Sequence, residues 1–250
     1  MVPKVSIVIP AYNEGDNVVP GLRSIEELVT TEKEILVVVD SESDSTVPSV
    51  RQLAKEINGL TLLVNNLGPG PGNAIRFGFL HAQAPTVVVS MADGCDDASQ
   101  IDELARLVQR GVVIAAASRY MPGGQQVGGP RLKRLLSRIA GKSFALITGV
   151  GTRDVTNSFK AYSRSFVESV QIHSRDGFEI GIELVAKARR LNQPVAEIPT
   201  TWIDRSFGAS KFQLGKWLPS YVKWYFFGIG LERMHKDAAA TLSDLRRRKS

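Results

Sequence analysis

The chain has 250 residues, 31 basic and 25 acidic, for a net charge of +6, with 43% hydrophobic and 22% charged residues. Those proportions exclude a disordered or fibrous chain and fit a globular protein with a sizeable core. The single cysteine, Cys95, excludes an intramolecular disulfide and fits a reducing compartment, and His81, His173 and His235 are too scattered for a zinc motif.

The spacing predicts a strand over 5–9 (VSIVI), ended by Pro10 within PAYNE at 10–14. A helix over 17–28 leads to a strand over 34–39, which runs into the polar stretch 40–45 (DSESDS). A helix over 46–57 and a strand over 60–64 follow. Residues 65–73 are rich in glycine and proline, and a helix over 74–82 leads into TVVVSMADGCDD at 86–97. Short apolar runs of this kind, alternating with helical patterns, predict a parallel sheet with right-handed crossovers. Polar residues recur at three strand ends: Tyr12 with Glu14, Asp40 with Asp44, and Asp93 with Asp97. On a doubly wound sheet these ends converge on one rim, where ligands bind.

A helix over 100–109 and a strand over 112–117 come next, ending in SRY at 118–120. A glycine-rich loop spans 121–130. Residues 131–148 form a long amphipathic helix carrying Arg131, Lys133, Arg134, Arg138 and Lys142. Residues 154–162 read as a turn feeding a strand, 178–191 as a helix, and 194–202 as a strand whose prolines suggest an edge. A basic loop (RSFGASK, 205–211) precedes an aromatic, amphipathic stretch over 212–230 and a basic tail ending in Arg246, Arg247, Arg248 and Lys249. We divide the chain into one domain over 1–211 and a C-terminal appendage over 212–250. No run approaches the roughly 20 apolar residues that span a bilayer, and the first ten residues lead directly into a strand rather than a signal peptide.

The chemistry is set by what is absent and what remains. There is no G-x-x-x-x-G-K-[ST] loop, no G-x-G-x-x-G in the first turn and no G-x-S-x-G elbow. What remains suits a nucleotide diphosphate. Asp40 can accept hydrogen bonds from a base or ribose, and Tyr12 can stack on a base. Asp93 can hold Mg²⁺ or Mn²⁺ against a diphosphate, and Arg119, Arg205 and Lys211 can neutralise phosphate oxygens. Asp96 and Asp97 are either helpers of Asp93 or caps of the next helix.

PAYNE, VVVDSESDST (37–46), GPGPGNAIRFGF (68–79), MADGCDD (91–97), SRY, RDVTNSFKAY (153–162) and RSFGASKF (205–212) together resemble the family 2 glycosyltransferases. Within these the chain looks most like the dolichol- or polyprenol-phosphate mannose synthases. The resemblance implies an α/β fold of the GT-A type, a mostly parallel twisted sheet flanked by helices. It implies an inverting, metal-dependent transfer of a hexose from GDP-mannose or a UDP-sugar to polyprenyl or dolichyl phosphate. By position, Pro10, Tyr12, Glu14, Asp40, Met91, Ala92, Asp93 and Arg119 would bind the nucleotide-sugar and its metal. Asp93 would be the metal ligand, and Asp93, Arg205 and Lys211 would act in catalysis.

Met91 stands where the family has the first aspartate of its Asp-x-Asp motif, Cys95 where a further polar ligand is common, and Ser41 where a second aspartate follows Asp40. Two other readings stay open here. One is transfer to a soluble or protein-bound hydroxyl, with Asp154 or Glu179 as base; the other is a non-catalytic nucleotide-sugar binder. The implied partners are a nucleotide-sugar, polyprenyl phosphate and a membrane surface but no nucleic acid. That places the protein in the cytoplasm or on the cytoplasmic face of a membrane.

Overall fold

The computed structural model describes residues 3–204 and 214–231. The first half is a run of β-α units: β1 (Val5–Pro10), α1 (Val18–Leu28), β2 (Lys33–Val39), α2 (Val47–Leu53), β3 (Leu60–Val64), α3 (Pro71–His81), β4 (Thr86–Val89) and α4 (Ile101–Gln109). Then come β5 (Ile114–Ser118), β6 (Gln125–Val127), α5 (Arg131–Thr148), β7 (Lys160–Ser163), α6 (Arg164–Ser169), α7 (Ile180–Arg190), β8 (Val195–Pro199), β9 (Thr201–Ile203) and α8 (Leu214–Ile229). Seven strands form one sheet in the order β3-β2-β1-β4-β7-β5-β8. All neighbours run parallel except β7, which lies antiparallel between β4 and β5.

The central strands β1, β4 and β5 are buried on both faces, which is why they read as near-continuous apolar runs. In β1, Ile7 and Ile9 enter a core with α1, α2 and α4, while Val8 enters the opposite core with α3 and α7. The buried residues of α4, Ile101, Leu104, Ala105 and Val108, recur at helical spacing. The expected edge strand over 194–202 is divided at Thr200: β8 closes one edge of the main sheet, and β9 leaves it to pair with β6. The helix expected over 46–57 stops at Leu53 and continues as turns.

A buried ionic cluster ties α7 to its surroundings. Glu183, fully buried, accepts hydrogen bonds from the backbone amides of His173 and Ser174, each at 2.7 Å, and from Lys187. The Lys187 ammonium lies 5.0 Å from the centroid of Trp224 on α8. Burial alone would raise the Glu183 carboxyl, but His173, Lys187 and Ser174 override it and hold the group at about 2. A depressed carboxyl adds stability above its unfolded pKa and loses it as pH falls toward the folded value. Linkage from about 4.5 to about 2 corresponds to roughly 3 kcal/mol, of which about 2 is gone by pH 3. Denaturant melts of wild type and Glu183→Gln at pH 6 and pH 3 should therefore show a steeper acid loss in the wild type. Equal slopes would contradict the assignment.

Candidate active site

The rim at the C-terminal ends of β1, β2 and β4 is built by loops that hold one another. After β1, Asn13 adopts a left-handed backbone (φ 51°). Its amide donates to Asp44 Oδ2 at 2.9 Å, and the Glu14 amide donates to Thr46 Oγ1 at 3.0 Å. PAYNE is thus fastened to the loop after β2, and Asp44, buried, is a fastener there rather than a ligand group. Tyr12 is 58% exposed at this rim. Pro10 and Ala92 are buried beneath this rim.

Asp40, at the end of β2, accepts from Asn65 Nδ2 at 3.0 Å and from the Gly70 amide at 2.9 Å. Gly70 sits at φ 113°, and a Cβ there would lie 3.1 Å from the Asp176 carbonyl oxygen. Only glycine fits that approach at that φ. Asp40 is thereby set against the start of α3, with its remaining lone pairs available to a ligand.

After β4, the Asp93 carboxylate accepts from the Cys95 amide at 3.1 Å. Asp96 turns back and accepts from the Met91 amide at 2.8 Å and from Ser90 Oγ at 3.3 Å. Burial, with the nearby Asp93 charge, pushes the Asp96 carboxyl up to about 7. Asp97 caps the turn before α4, accepting from the Ser99 amide at 3.0 Å and from Ser99 Oγ at 2.6 Å. Of the two helpers considered for Asp93, then, Asp97 is a cap and Asp96 braces the strand end.

After β5, Arg119 forms the tightest charged contact of the region. Its Nε and Nη2 donate to Asp154 at 2.7 and 2.9 Å, its amide donates to Asp154 Oδ2 at 3.0 Å, and Nη2 reaches Thr156 Oγ1 at 3.2 Å. Asp154 is fully buried. Burial would raise its carboxyl; Arg119 overrides this and holds it below the usual range. Beneath them lies Lys160 of β7, also fully buried, its ammonium pushed down to about 7 by burial against the pull of Asp154. An aspartate so committed is a poor proton acceptor, which removes Asp154 as a general base. Glu179 is buried, and its carboxyl is raised by burial. Arg205 and Lys211 lie outside the described residues.

Beside Arg119 opens a cavity of about 1230 Å³ between the 120–126 loop, α5 and residues 149–153. Arg134, Arg138 and Lys142 line it from α5, and Ala145, Leu146 and Val150 add apolar wall. Tyr120 joins it to the Arg119 network: the guanidinium lies 5.0 Å from its ring centroid, and its hydroxyl donates to Ser137 Oγ at 2.9 Å. The sequence displayed those three bases as helix charges; their i, i+4, i+8 spacing was the available sign that they share one face.

No group of three or more Asp, Glu, His or Cys side chains among the described residues is arranged to hold a metal ion alone. The donor set still suits one class of ion. Mg²⁺ or Mn²⁺ commonly binds through one or two carboxylates, with substrate phosphates and water completing the shell. Asp93, half-buried at the rim, can supply that carboxylate.

Strand-end carboxylates on this mostly parallel sheet, with β7 inserted antiparallel, define a glycosyltransferase of the GT-A type. The chain belongs to glycosyl transferase family 2, which it matches over residues 6–171. It is 29% identical over 211 residues to polyprenol monophosphomannose synthase of Mycolicibacterium smegmatis, covering 82% of this chain and 79% of that protein. It is 25% identical over 229 residues to undecaprenyl-phosphate mannosyltransferase of Micrococcus luteus, covering 88% and 93%. Among solved structures, glucosyl-3-phosphoglycerate synthase from Mycobacterium tuberculosis with UDP superposes at a TM-score of 0.67 and 18% identity, over 92% of this chain and 82% of that one. The same enzyme with Mn²⁺, UDP and glucosyl-3-phosphoglycerate gives 0.66 at 17%, over 92% and 81%. At such identities the likeness is one of fold.

Proposed function

We propose that this glycosyltransferase moves a hexose, mannose foremost, from a nucleotide-diphospho-sugar to a polyprenyl phosphate. The observation that carries the reading is the basic cavity beside Arg119, with its apolar wall. A phosphate monoester on an apolar chain matches both features. The two relatives above are named for transfer to lipid phosphates of this kind.

The donor would lie across the rim, its base on Tyr12 and its nucleoside against Asp40. Asp93 would hold a divalent ion on the diphosphate, and that ion would supply charge stabilisation for the leaving group. Because no cluster among the described residues is arranged to bind the ion alone, it would arrive with the donor. A phosphate acceptor has a second pKa of about 6 and is largely ionised at neutral pH. Its oxygen can attack the anomeric carbon while the bond to the diphosphate breaks, inverting that centre and releasing the nucleoside diphosphate. No proton has to be removed, which fits a cavity whose lining carboxylate, Glu197, is paired with Arg153, while the neighbouring Asp154 is committed to Arg119. Arg119, held rigid, would present positive charge to the incoming phosphate without reorganising, with Arg205 and Lys211 assigned to the leaving diphosphate.

The test is a panel of nucleotide sugars offered with polyprenyl phosphate, with the matching polyprenol, and with 3-phosphoglycerate, read by product mass. A glycosylated lipid phosphate from one donor is the expected product.

A further inference from the structure

β7 carries a lysine where the core asks for an apolar residue. Lys160 is fully buried, and its neighbours along the strand, Phe159, Ala161 and Tyr162, are buried apolar side chains. It pairs with Val89 on one side and with Ala116 on the other. That places it beneath the rim, between the end of β4, which leads to Asp93, and the end of β5, which leads to Arg119. Burying an ammonium is costly unless a carboxylate pairs with it. Lys160 forms no ion pair among the described residues: its hydrogen bonds go to the carbonyl oxygens of Val155, at 3.4 Å, and of Asn157. It also faces the start of α7, where a Cβ on Gly181 would lie 3.7 Å from its Nζ, and a helix start disfavours a cation.

The two carbonyls belong to the turn that fixes Arg119. Within residues 154–157, the Asn157 amide donates to Asp154 Oδ1 at 3.1 Å, and Asn157 Nδ2 donates to the Ala117 carbonyl at 2.8 Å. Thr156 Oγ1 accepts from Arg119 Nη2 and lies 2.5 Å from Ser137 Oγ. Asp154 accepts the Arg119 amide, Nε and Nη2. The lysine thus grips the turn whose acid orients the guanidinium.

Charge gives a second reason to single it out. The charged groups acting on Lys160 are Asp154 in that turn, Arg119 after β5 and Asp96 after β4. Arg119 and Asp154 neutralise each other, so the pair calls for no further cation. Asp96, pushed up to about 7 by burial, is only partly charged at neutral pH. A charged Lys160 therefore leaves a positive surplus behind Arg119, which itself lines a cavity already made basic by Arg134, Arg138 and Lys142. Buried charges kept against their cost concentrate where function uses them.

We infer that Lys160 is a positioning residue for phosphate capture: its ammonium clamps the 154–157 turn, aims the Arg119 guanidinium into the cavity, and supplies surplus positive charge behind it. Being fully buried, it acts through Arg119 rather than by touching substrate. The inference rests on the reading that this cavity takes a phosphate, and is indifferent to what that phosphate is attached to. Burial holds the ammonium down to about 7 against the pull of Asp154. The surplus is therefore present below about pH 7 and lost as pH rises through it, and ionisation of Asp96 over the same range acts in the same direction.

Initial rates with polyprenyl phosphate from pH 7 to pH 8.5, where a phosphate monoester is already mostly dianionic, test it. In wild type the KM for the lipid phosphate should rise at least threefold across this range. Lys160→Met should raise that KM about tenfold at pH 7, the scale of one partly buried unit charge, and lose most of the rise. Its kcat and its KM for the nucleotide sugar should stay within threefold of wild type. Its melting temperature should stay within a few degrees, because removing a buried ammonium relieves a desolvation cost as it gives up two hydrogen bonds. Asp96→Asn, which leaves Lys160 in place, should keep most of the rise. A wild-type KM that is flat in pH overturns the inference without any variant. So does a Lys160→Met enzyme that melts lower with an unchanged acceptor KM, the result a purely structural lysine would give. Sulfate, whose charge is constant over this range, titrated into donor-free protein gives a reading that needs no transfer. Weaker sulfate binding by Lys160→Met, found where lipid phosphate yields no product, would support Lys160 and defeat the lipid acceptor; product formed with equal acceptor KM in both proteins would do the reverse.

Discussion

Asp93→Ala should lower sugar transfer by at least two orders of magnitude while leaving the melting temperature within a degree or two of wild type. Removing charge stabilisation of a leaving group typically costs about 10²–10³ in rate, and here one carboxylate is asked to anchor the ion. The side chain is half-buried at the rim and accepts from the Cys95 amide at the turn after β4. Met91 sharpens the expectation, because a second strand-end carboxylate is not there to take over. Asp96, engaged by the Met91 amide and Ser90, is a bracing group, so Asp96→Ala, which removes both acceptors, should cost stability before it costs metal affinity. The check is initial rate against Mn²⁺ concentration, with calorimetry of Mn²⁺ binding in the presence and absence of the nucleoside diphosphate. Near-wild-type turnover of Asp93→Ala at limiting metal would sink the metal assignment, as would tight Mn²⁺ binding without nucleotide that the variant retains.

Arg119→Ala should be the most destabilising single change at the site. It strips Asp154, fully buried, of both guanidinium hydrogen bonds and of its main counter-charge. Breaking a buried pair from one side costs about 3–5 kcal/mol because a desolvated charge is stranded. Lys160, held near 7 by burial, can take up only part of the charge at neutral pH. At this chain length the loss corresponds to a drop of roughly 10 °C. Arg119→Ala/Asp154→Asn should recover part of it, since removing both members of a buried pair is far cheaper than removing one. Neither variant should regain transfer, because the charge facing the acceptor is gone. Thermal melts of the two variants decide the matter; Arg119→Ala within 1 kcal/mol of wild type would show that the pair does not organise the site.

Much of the architecture was legible because β1, β2 and β4 are buried on both faces and the first four strands alternate with helices. Their runs, from VSIVI to TVVV, carry the pattern in themselves. The direction of β7 was not legible. Residues 154–162 announce a turn and a strand, but what sets KAYS antiparallel between β4 and β5 is pairing with segments far away in sequence. β6 was missed because its three residues, Gln125–Val127, are mostly polar, lie in a glycine-rich loop and owe their extended form to β9.

The site divides in the same way. Asp40, Asp93 and Tyr12 stand at strand ends and could be read from position. The commitment of Arg119 to Asp154, 35 residues away, could not. That contact turned Asp154 from a candidate base into a structural counter-ion.

Polyprenyl phosphate set against the same polyprenol without its phosphate, with the preferred nucleotide sugar and Mg²⁺ or Mn²⁺, tests the proposed reaction most directly. Product mass should show one hexose added to the lipid phosphate, released nucleoside diphosphate in equal amount, and no product from the alcohol. Equal transfer to the alcohol, or transfer to 3-phosphoglycerate with none to the lipid phosphate, would contradict a site that takes an ionised lipid phosphate and needs no base.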